Sequence, residues 1–260
     1  MSSNASNFLE EALEIGGGRT IGGRVVLVED CVETSGAFVL HHLMKRVLSP
    51  ESRGAVLLLA FAHPFSHYDR ILRKMGCNLS SQRESNRLQF LDMLRMELPD
   101  QIDGEIKEVG FQELFSKLQT AIEVIGERGN NDGGITIMID DISMLETAAH
   151  GCLDQILDFL HYCITLTSEY GCALVILSHG DIYSSDEATG LLSSLEYLAD
   201  IVVKTEPLAT GLAADVHGQL TVLNRGSLKD NGYSMNKFRN FHFKLKENGA
   251  EYFYPGSRKT

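Results

Sequence analysis

A strand followed by a loop and a helix, within residues 24–48, most constrains what this chain can fold into. The apolar run Val25–Val28 has the length and β-branched composition of a strand that is buried on both faces. A turn that contains Ser35 and Gly36 follows, and residues 37–48 then carry apolar side chains at helical spacing. A strand buried on both faces needs a covering layer on each side. The segment therefore predicts a sheet covered by helices.

The loop in this segment can be aligned with the phosphate-binding pattern G-x-x-x-x-G-K-[ST], which also lies between a strand and a helix. Gly36 takes the place of the second glycine, but Cys31 replaces the first glycine. Ala37 replaces the lysine that contacts the β- and γ-phosphates, and Phe38 replaces the hydroxyl residue that holds Mg²⁺. Asp30 adds negative charge beside any phosphate. The sequence predicts a vestigial phosphate loop, and an ordinary strand–helix turn of an unrelated protein stays open as the alternative.

Apolar runs and helical patterns alternate along the rest of the chain. The runs that predict strands are Ala55–Ala62, Leu88–Leu94, Ile135–Asp141, Ala173–Leu177 and Ile201–Lys204. The patterns that predict helices are Phe8–Ile15, Tyr68–Met75, Phe111–Ile125, Cys152–Tyr170 and Leu191–Leu198. Alternating apolar and polar residues then predict an antiparallel meander over Gln219–Leu223, Asn240–Lys246 and Glu251–Tyr254.

This order predicts an α/β fold with three layers, α/β/α, and a mostly parallel central sheet with a C-terminal antiparallel extension. One domain over residues 1–260 is expected, with flexible tails at residues 1–7 and 255–260. The N-terminus lacks a basic region, and the longest apolar run is strand-sized, so we expect an intracellular protein without a membrane segment. Five cysteines without a C-x-x-C pair predict reduced thiols, with neither disulfides nor a zinc site.

The charge is uneven along the chain. The net charge is −12, which argues against general adhesion to nucleic acid. Residues 224–260 nevertheless hold eight Lys or Arg and three Asp or Glu, a net charge of +5, which leaves −17 for the rest. Such a distribution suggests local contact with a polyanion or with an acidic partner.

Asp140 and Asp141 follow the predicted strand that begins at Ile135. An aspartate at this place holds the nucleotide-bound Mg²⁺ in P-loop enzymes, where the pair is called Walker B. Carboxylates at strand ends also cap the next helix, and Asp141 precedes such a segment. Capping is favoured here, because no lysine or hydroxyl is available opposite. The predicted strand Ala55–Ala62 also ends without the glutamate that would polarise an attacking water.

Two other arrangements of reactive side chains are weaker. His63 and His67 have a spacing that can bind a metal on a helix, but Pro64 lies between them and no third ligand is near. Ser178 and His179 could join Asp140 in a hydrolase triad, but no G-x-S-x-G elbow is present. We therefore predict neither a metal site nor a catalytic residue.

Two basic clusters contain the candidates for contact with RNA phosphates. The candidates are Arg70, Arg73, Lys74, Lys229, Lys237 and Arg239. Arg83 and Arg87 extend the first cluster, and aromatic residues are interleaved in the second. A solvated surface explains each cluster equally well, so both interpretations stay open.

The degenerate loop, the strand that ends in Asp140-Asp141 and the terminal meander together resemble the RecA-like ATPases. The segments V-L-V-E-D-C-V-E-T-S-G-A-F-V-L-H-H, I-D-D-I-S and F-H-F-K-L are more closely similar to the sixth-subunit family of the Elongator complex. The resemblance implies a RecA-like fold without working nucleotide motifs and without a cofactor. It also implies a hetero-hexameric ring with the fourth and fifth Elongator subunits, association with the remaining subunits, and tRNA binding through the assembly.

The resemblance further implies an accessory role in wobble-uridine (U34) modification of tRNA, in the cytoplasm and nucleus. Hexameric RecA-like ATPases present an arginine to the neighbouring subunit from a K-x-R strand, and Arg225 stands at that place with Leu223 where the lysine would be. Arg225 is therefore the candidate for a subunit interface. The loop over residues 180–190 corresponds to a DNA-binding loop of recombinases, although its three carboxylates disfavour phosphate contact. Two alternatives stay open: an active NTPase with an atypical nucleotide site, and a recombination mediator that acts on DNA.

Overall fold

The computed structural model describes residues 7–15, 21–94, 109–126, 134–149, 152–183, 189–211, 213, 215–226 and 236–256. The helices are α1 (Asn7–Ala12), α2 (Ala37–Val47), α3 (Phe65–Lys74), α4 (Leu79–Glu84), α5 (Val109–Gly126), α6 (Ile142–Ala148), α7 (Leu153–Tyr170) and α8 (Thr189–Leu198). The strands are β1 (Val25–Asp30), β2 (Ala55–Ala60), β3 (Leu88–Asp92), β4 (Ile135–Ile139), β5 (Ala173–His179), β6 (Ile201–Glu206), β7 (Gly218–Asn224), β8 (Lys237–Lys246) and β9 (Gly249–Phe253).

All nine of these strands lie in one sheet, in the order β3-β2-β4-β5-β1-β6-β7-β8-β9. The strands from β3 to β6 in this order are parallel to their neighbours, and β6, β7, β8 and β9 pair in antiparallel fashion. The prediction of a mostly parallel sheet with an antiparallel extension is confirmed.

The direction of each crossover decides which face of the sheet a helix covers. The connections β1–β2 and β2–β3 run towards the β3 edge, whereas β3–β4, β4–β5 and β5–β6 run the opposite way. Because parallel crossovers are right-handed, the two directions place their helices on opposite faces. Helices α2, α3 and α4 therefore share one face, and α5, α7 and α8 share the other.

The apolar core is divided by the sheet in the same way. In β1, Val26 and Val28 pack with Leu40 of α2, and the alternate residue Leu27 packs in the cluster that contains Phe159 of α7. Each of these side chains is at most 1% exposed. A strand with both faces buried explains why the sequence shows continuous apolar runs rather than alternation in this part of the chain.

Several element boundaries differ from the sequence predictions. The structure has a short helix, α4, that the periodicity did not indicate, and its first turn is capped by the Asn78 side chain, which accepts from the Ser81 N–H at 3.3 Å. The first helix ends at Ala12 rather than Ile15, because Glu14 has a φ of 59°. The first turn of the predicted loop over residues 180–190 is a 3₁₀ turn, Gly180–Tyr183. Residues 184–188 and most of the predicted tails lie outside the described residues.

All five cysteines lie within the described residues, and each is a free thiol. In the part of the chain that the structure describes, no helix combines the length and the apolar character needed to cross a membrane.

Candidate functional site

The carboxyl ends of the parallel strands form the edge at which the predicted site residues meet. Open α/β sheets bind ligands where neighbouring strands are followed by connections that leave in opposite directions. Two such switch points involve the predicted residues, one between β1 and β5 and one between β2 and β4. Asp30 and His179 lie at the first, and Asp140 follows the strand at the second.

The loop after β1 brings the Asp30 carboxylate to the N-terminus of α2. Gly36 is the N-cap of this helix, and its N–H donates to Asp30 Oδ2 at 2.7 Å. A Cβ atom at position 36 would lie 2.9 Å from Val28 Cγ1 and 3.2 Å from Asp30 Cβ, so the close approach of the loop to β1 requires glycine. Helix N-termini attract anions because their N–H groups are unsatisfied and the helix dipole is positive there. In this chain the Asp30 carboxylate occupies the position of the anion at the N-terminus of α2.

The two positions that lack P-loop chemistry begin α2. Ala37 donates its N–H to Ser35 Oγ at 3.3 Å, and Phe38 packs against Phe243 of β8 with 4.7 Å between ring centroids. The residue that stands for the metal-binding hydroxyl thus anchors the antiparallel extension to the helix. This geometry supports the interpretation of Cys31, Gly36, Ala37 and Phe38 as a vestigial phosphate loop, which stays a prediction.

His179 connects the ends of three strands. Its Nδ1 lies 2.5 Å from Asp30 Oδ1, and its Nε2 lies 3.4 Å from Asp141 Oδ2. The hydrogen bonds with Asp141 and Asp30 raise the pKa of His179 to about 10, so the imidazole is a cation at neutral pH. Burial acts to raise the pKa of Asp141, but the bonds from His179 and Ser143 outweigh it and lower the pKa. The result is a positive charge held between two carboxylates.

Asp140 closes the second switch point. Its carboxylate accepts the N–H groups of Phe61 at 2.6 Å and Ala62 at 3.1 Å, and it also accepts the Tyr68 hydroxyl. Burial raises the pKa of Asp140, and these donors oppose that rise. The aspartate at the Walker B position thus ties the end of β2 to α3.

The geometry favours helix capping over metal binding as the role of Asp141. It is the N-cap of α6, and its Oδ1 accepts the Ser143 N–H at 2.9 Å. Among the described residues, no group of three or more His, Cys, Asp or Glu is arranged to hold a metal ion. His63 and His67 stack with 3.9 Å between ring centroids.

The geometry does not assemble a hydrolase triad at Ser178-His179. The imidazole pairs with Asp30 and Asp141 rather than with Asp140, and Ser178 is fully buried. The Ser178 hydroxyl has no hydrogen-bond partner among the described residues.

The sequence reasoning missed an ion cluster at the end of β6. Lys204 Nζ lies 2.8 Å from Glu29 Oε2 and 2.6 Å from Glu196 Oε1. Burial raises the pKa of Glu29, and the Lys204 ammonium opposes this effect. Glu29 and Lys204 are both visible near the ends of predicted strands. The sequence does not show that they pair, because that requires knowing that β1 and β6 are neighbours.

Arg225 is used within the chain. Its Nη1 donates to the carbonyl oxygen of Ala199 at 3.0 Å and contacts those of Glu196 and Tyr197, all at the C-terminal end of α8. A guanidinium at this end satisfies free carbonyls and complements the helix dipole. The subunit-interface role of Arg225 stays a prediction, with helix capping as a second role for the same side chain.

The basic candidates differ in how far acidic neighbours neutralise them. Arg70, Arg73 and Lys74 are exposed on α3, and Arg73 pairs with Asp69 at 2.6 Å. Lys237 forms an ion pair with Glu14, and Arg239 lies 3.8 Å from Glu11. Lys229 lies outside the described residues. The α3 group is therefore the stronger phosphate-binding candidate within the described part of the chain.

Arg87 is not part of a basic surface, so its inclusion in that cluster was wrong. Its guanidinium is half-buried and donates to a ring of backbone carbonyls between α2 and β2. The acceptors are the oxygens of Val47 (2.9 Å), Leu48 (3.3 Å), Ser49 (3.1 Å), Ser52 (2.6 Å) and Gly54 (3.1 Å). Arg87 holds this connection together.

The sheet order, the two switch points and the antiparallel extension define an α/β protein of the RecA-like class. A KaiC-like protein of the archaeon Pyrococcus horikoshii superposes with a TM-score of 0.60 at 11% identity and covers 89% of this chain and 90% of its own. A second, uncharacterized protein of P. horikoshii, solved with an unknown peptide, gives a TM-score of 0.60 at 15% identity, covering 95% and 98%. At these identities the likeness establishes the fold.

Sequence comparison identifies the family. The family model of Elongation complex protein 6 matches residues 7–247, so the chain belongs to that family. Elongator complex protein 6 of Xenopus laevis is 30% identical over 247 residues, which cover 90% of this chain and 91% of the frog protein. The human protein of the same name is 28% identical with the same coverage, and the rat protein is 27% identical over 97% of this chain and 98% of its own.

Proposed function

We propose that this chain is a non-catalytic, RecA-like subunit of the Elongator complex. It forms a hetero-hexameric ring with the fourth and fifth subunits, contacts the remaining subunits through that ring, and binds tRNA in the assembly to support wobble-uridine (U34) modification. Family membership supports the place in Elongator. The cytoplasm and nucleus are the proposed locations.

The observation that carries the non-catalytic role is the Asp30 carboxylate at the N-terminus of α2. A phosphate bound there would have to displace this carboxylate or lie beside it. Two like charges about 4 Å apart repel by about 4 kcal/mol at an effective dielectric constant near 20. Position 37 is alanine, and among the described residues the two nearby cations are already paired, Lys204 with Glu29 and Glu196 and His179 with Asp30 and Asp141.

The same site supports a structural use of its charged groups. Asp140 satisfies two backbone N–H groups after β2, and Asp141 caps α6. Both aspartates at the Walker B position therefore have partners within the chain. A nucleotide-bound Mg²⁺ would compete with these bonds.

The first experiment tests assembly and nucleotide binding together. We expect co-expression with the fourth and fifth subunits to give a six-chain species with two copies of each in native mass spectrometry. We also expect calorimetry of the isolated chain with Mg-ATP to show no binding at millimolar concentration. A micromolar affinity for Mg-ATP would instead favour the atypical NTPase, and failure to enter the ring would remove the proposed place in Elongator.

The second experiment tests the contact with tRNA. In the reconstituted ring, the double variant Arg70→Gln/Lys74→Gln should lower tRNA affinity and reduce the slope of log K against log salt by about 1 for each lost phosphate contact. The matched control is Arg53→Gln/Lys117→Gln, which removes one exposed arginine and one exposed lysine outside both basic clusters. Equal effects of both pairs would place the tRNA contact outside α3. Tighter binding of duplex DNA than of tRNA at the same salt would favour the recombination mediator.

A further inference from the structure

A cavity of about 510 Å³ opens at the carboxyl ends of β1, β5 and β6, beside the Asp30–His179 pair. Its lining residues include four acidic ones, Glu29, Asp30, Asp181 and Glu206, together with Lys204. The apolar side chain of Leu192 from α8 lines it as well. We call this cavity the acidic pocket. Its volume is in the range of small-molecule sites in proteins.

The positive charges near the acidic pocket are already in use. His179 lies between Asp30 and Asp141, and Asp30 also accepts the Gly36 N–H. The Lys204 ammonium is shared by two carboxyl groups, those of Glu29 and Glu196. Asp181 and Glu206 are exposed at the mouth and add negative charge. The lining therefore has an excess of negative charge.

One carboxyl oxygen of Glu29 lacks a hydrogen-bond donor within this lining. Its side chain is 8% exposed, and its Oε2 faces Lys204. Its Oε1 is buried and has no hydrogen-bond partner among the described residues. A buried acceptor without a donor destabilises a protein unless a ligand, water or partner supplies one. Burial raises the pKa of Glu29, and the Lys204 ammonium beside Oε2 offsets only part of this effect.

We infer that the acidic pocket binds an organic cation, an ammonium or guanidinium group on a short aliphatic chain. Nitrogen donors of the cation satisfy Glu29 and the carboxylates at the mouth, and the aliphatic part contacts Leu192. Either a free small amine or a basic side chain of another protein chain carries this chemistry.

Two other ligand classes fit less well. A divalent metal needs several oxygen ligands at about 2.0–2.6 Å, and the described residues contain no cluster of three or more acidic, His or Cys ligands arranged for one. A phosphate group would face four carboxyl groups and two cations that are already paired. The nitrogen donors of an alkyl cation match the negative charge of the lining, and its aliphatic part matches Leu192.

The test uses the full chain and a pair of probes that differ in charge. Butylguanidinium should bind in NMR titrations and shift the resonances of residues around Glu29 and Glu206, whereas the neutral butylurea, of nearly the same shape, should not. Glu206→Gln should weaken binding of butylguanidinium about fivefold, because one charge contact at the mouth is lost. The control Glu113→Gln, at an exposed position on α5, should leave the affinity unchanged. Affinity should rise with pH, because the bound cation favours ionised Glu29.

Glu29→Gln changes the buried carboxyl group directly, but it also perturbs the ion pair with Lys204. If Glu29→Gln fails to fold, Glu206→Gln still tests the inference. Equal binding of butylguanidinium and butylurea, or no effect of Glu206→Gln, would overturn the inference. A repeat in the reconstituted Elongator ring separates the sources of the cation. Retained binding supports a free amine, and loss of binding there supports a basic side chain of a neighbouring subunit in the pocket.

Discussion

Replacing His179 by glutamine should destabilise the chain in a way that depends on pH. The imidazole lies 2.5 Å from Asp30 and 3.4 Å from Asp141, so its removal leaves two carboxylates near each other without the cation between them. Glutamine can donate a hydrogen bond but carries no charge. The variant therefore isolates the contribution of the positive charge.

The magnitude follows from the pKa of His179, which folding raises from 6.5 to about 10. Without solvent screening, a pKa difference of this size would contribute about 5 kcal/mol to the free energy of unfolding. Because 35% of the side chain is exposed, solvent screening reduces the expected contribution to about 1–3 kcal/mol. The folded pKa is the higher one, so the stabilisation is complete below pH 6.5 and disappears as the pH rises towards 10. Asp141, whose pKa is lowered, contributes above its ordinary value of 3.8 and loses that contribution on acidification.

The assay is urea unfolding of both proteins at two pH values, about 6 and about 9.5. We expect His179→Gln to lower the free energy of unfolding by about 2 kcal/mol at the first pH and by a few tenths at the second. His161→Gln, an exposed position on α7, is the control and should change stability by less than about 0.5 kcal/mol at both. The reasoning is refuted if the imidazole of His179 titrates near 6.5 in NMR, or if the loss is the same at both pH values.

Three further substitutions test single contacts, each measured by urea unfolding. Gly36 and Tyr68 lie at the carboxyl ends of the strands, and Arg87 lies at the opposite edge, before β3. Gly36→Ala should cost about 1–3 kcal/mol, because its Cβ would lie 2.9 Å from Val28 Cγ1. Arg87→Lys should cost about 2–3 kcal/mol, because one ammonium group cannot replace a planar fork that reaches five carbonyls. Tyr68→Phe should cost about 1–3 kcal/mol, because the buried Asp140 carboxylate loses a donor.

Each of these substitutions has a matched control on the same kind of residue. The controls are Gly126→Ala, where nothing lies within 4 Å of the added carbon, Arg83→Lys, which is exposed over the Phe65 ring, and Tyr170→Phe, which is 56% exposed. All three should change stability by less than about 1 kcal/mol. A control that costs as much as its partner would show that the named contact is not the cause.

The sequence predicted the layers of the fold because continuous apolar runs and helical periodicity are local signals. Val25–Val28 and Ala173–Leu177 were recognisable as strands buried on both faces, and the alternation after Gly218 indicated the meander. Helix α4 was missed because six residues with one buried apolar side chain, Leu79, carry almost no periodicity. Its Asn78 cap was the available signal.

The site could be predicted only in part, because it depends on which strands are neighbours. Asp30, Asp141 and His179 each stand at a strand end in the sequence, but the sequence does not give the order that brings β1, β5 and β4 side by side. Arg87 shows the opposite failure. Its position between basic residues suggested a surface cluster, whereas its acceptors are carbonyl groups 33 to 40 positions away along the chain.

The two switch points are closed by the same physical means, and this links the fold to the proposed role. At the first, the Asp30 carboxylate takes the helix N-terminus and is held by His179. At the second, the Asp140 carboxylate takes the free N–H groups after β2. In both places an acidic side chain satisfies backbone donors that an open α/β protein leaves for an anionic ligand. What remains open beside the first switch point is the acidic pocket, whose charge suits a cation. We therefore expect the carboxyl edge of this sheet to bind basic groups of a partner rather than nucleotides.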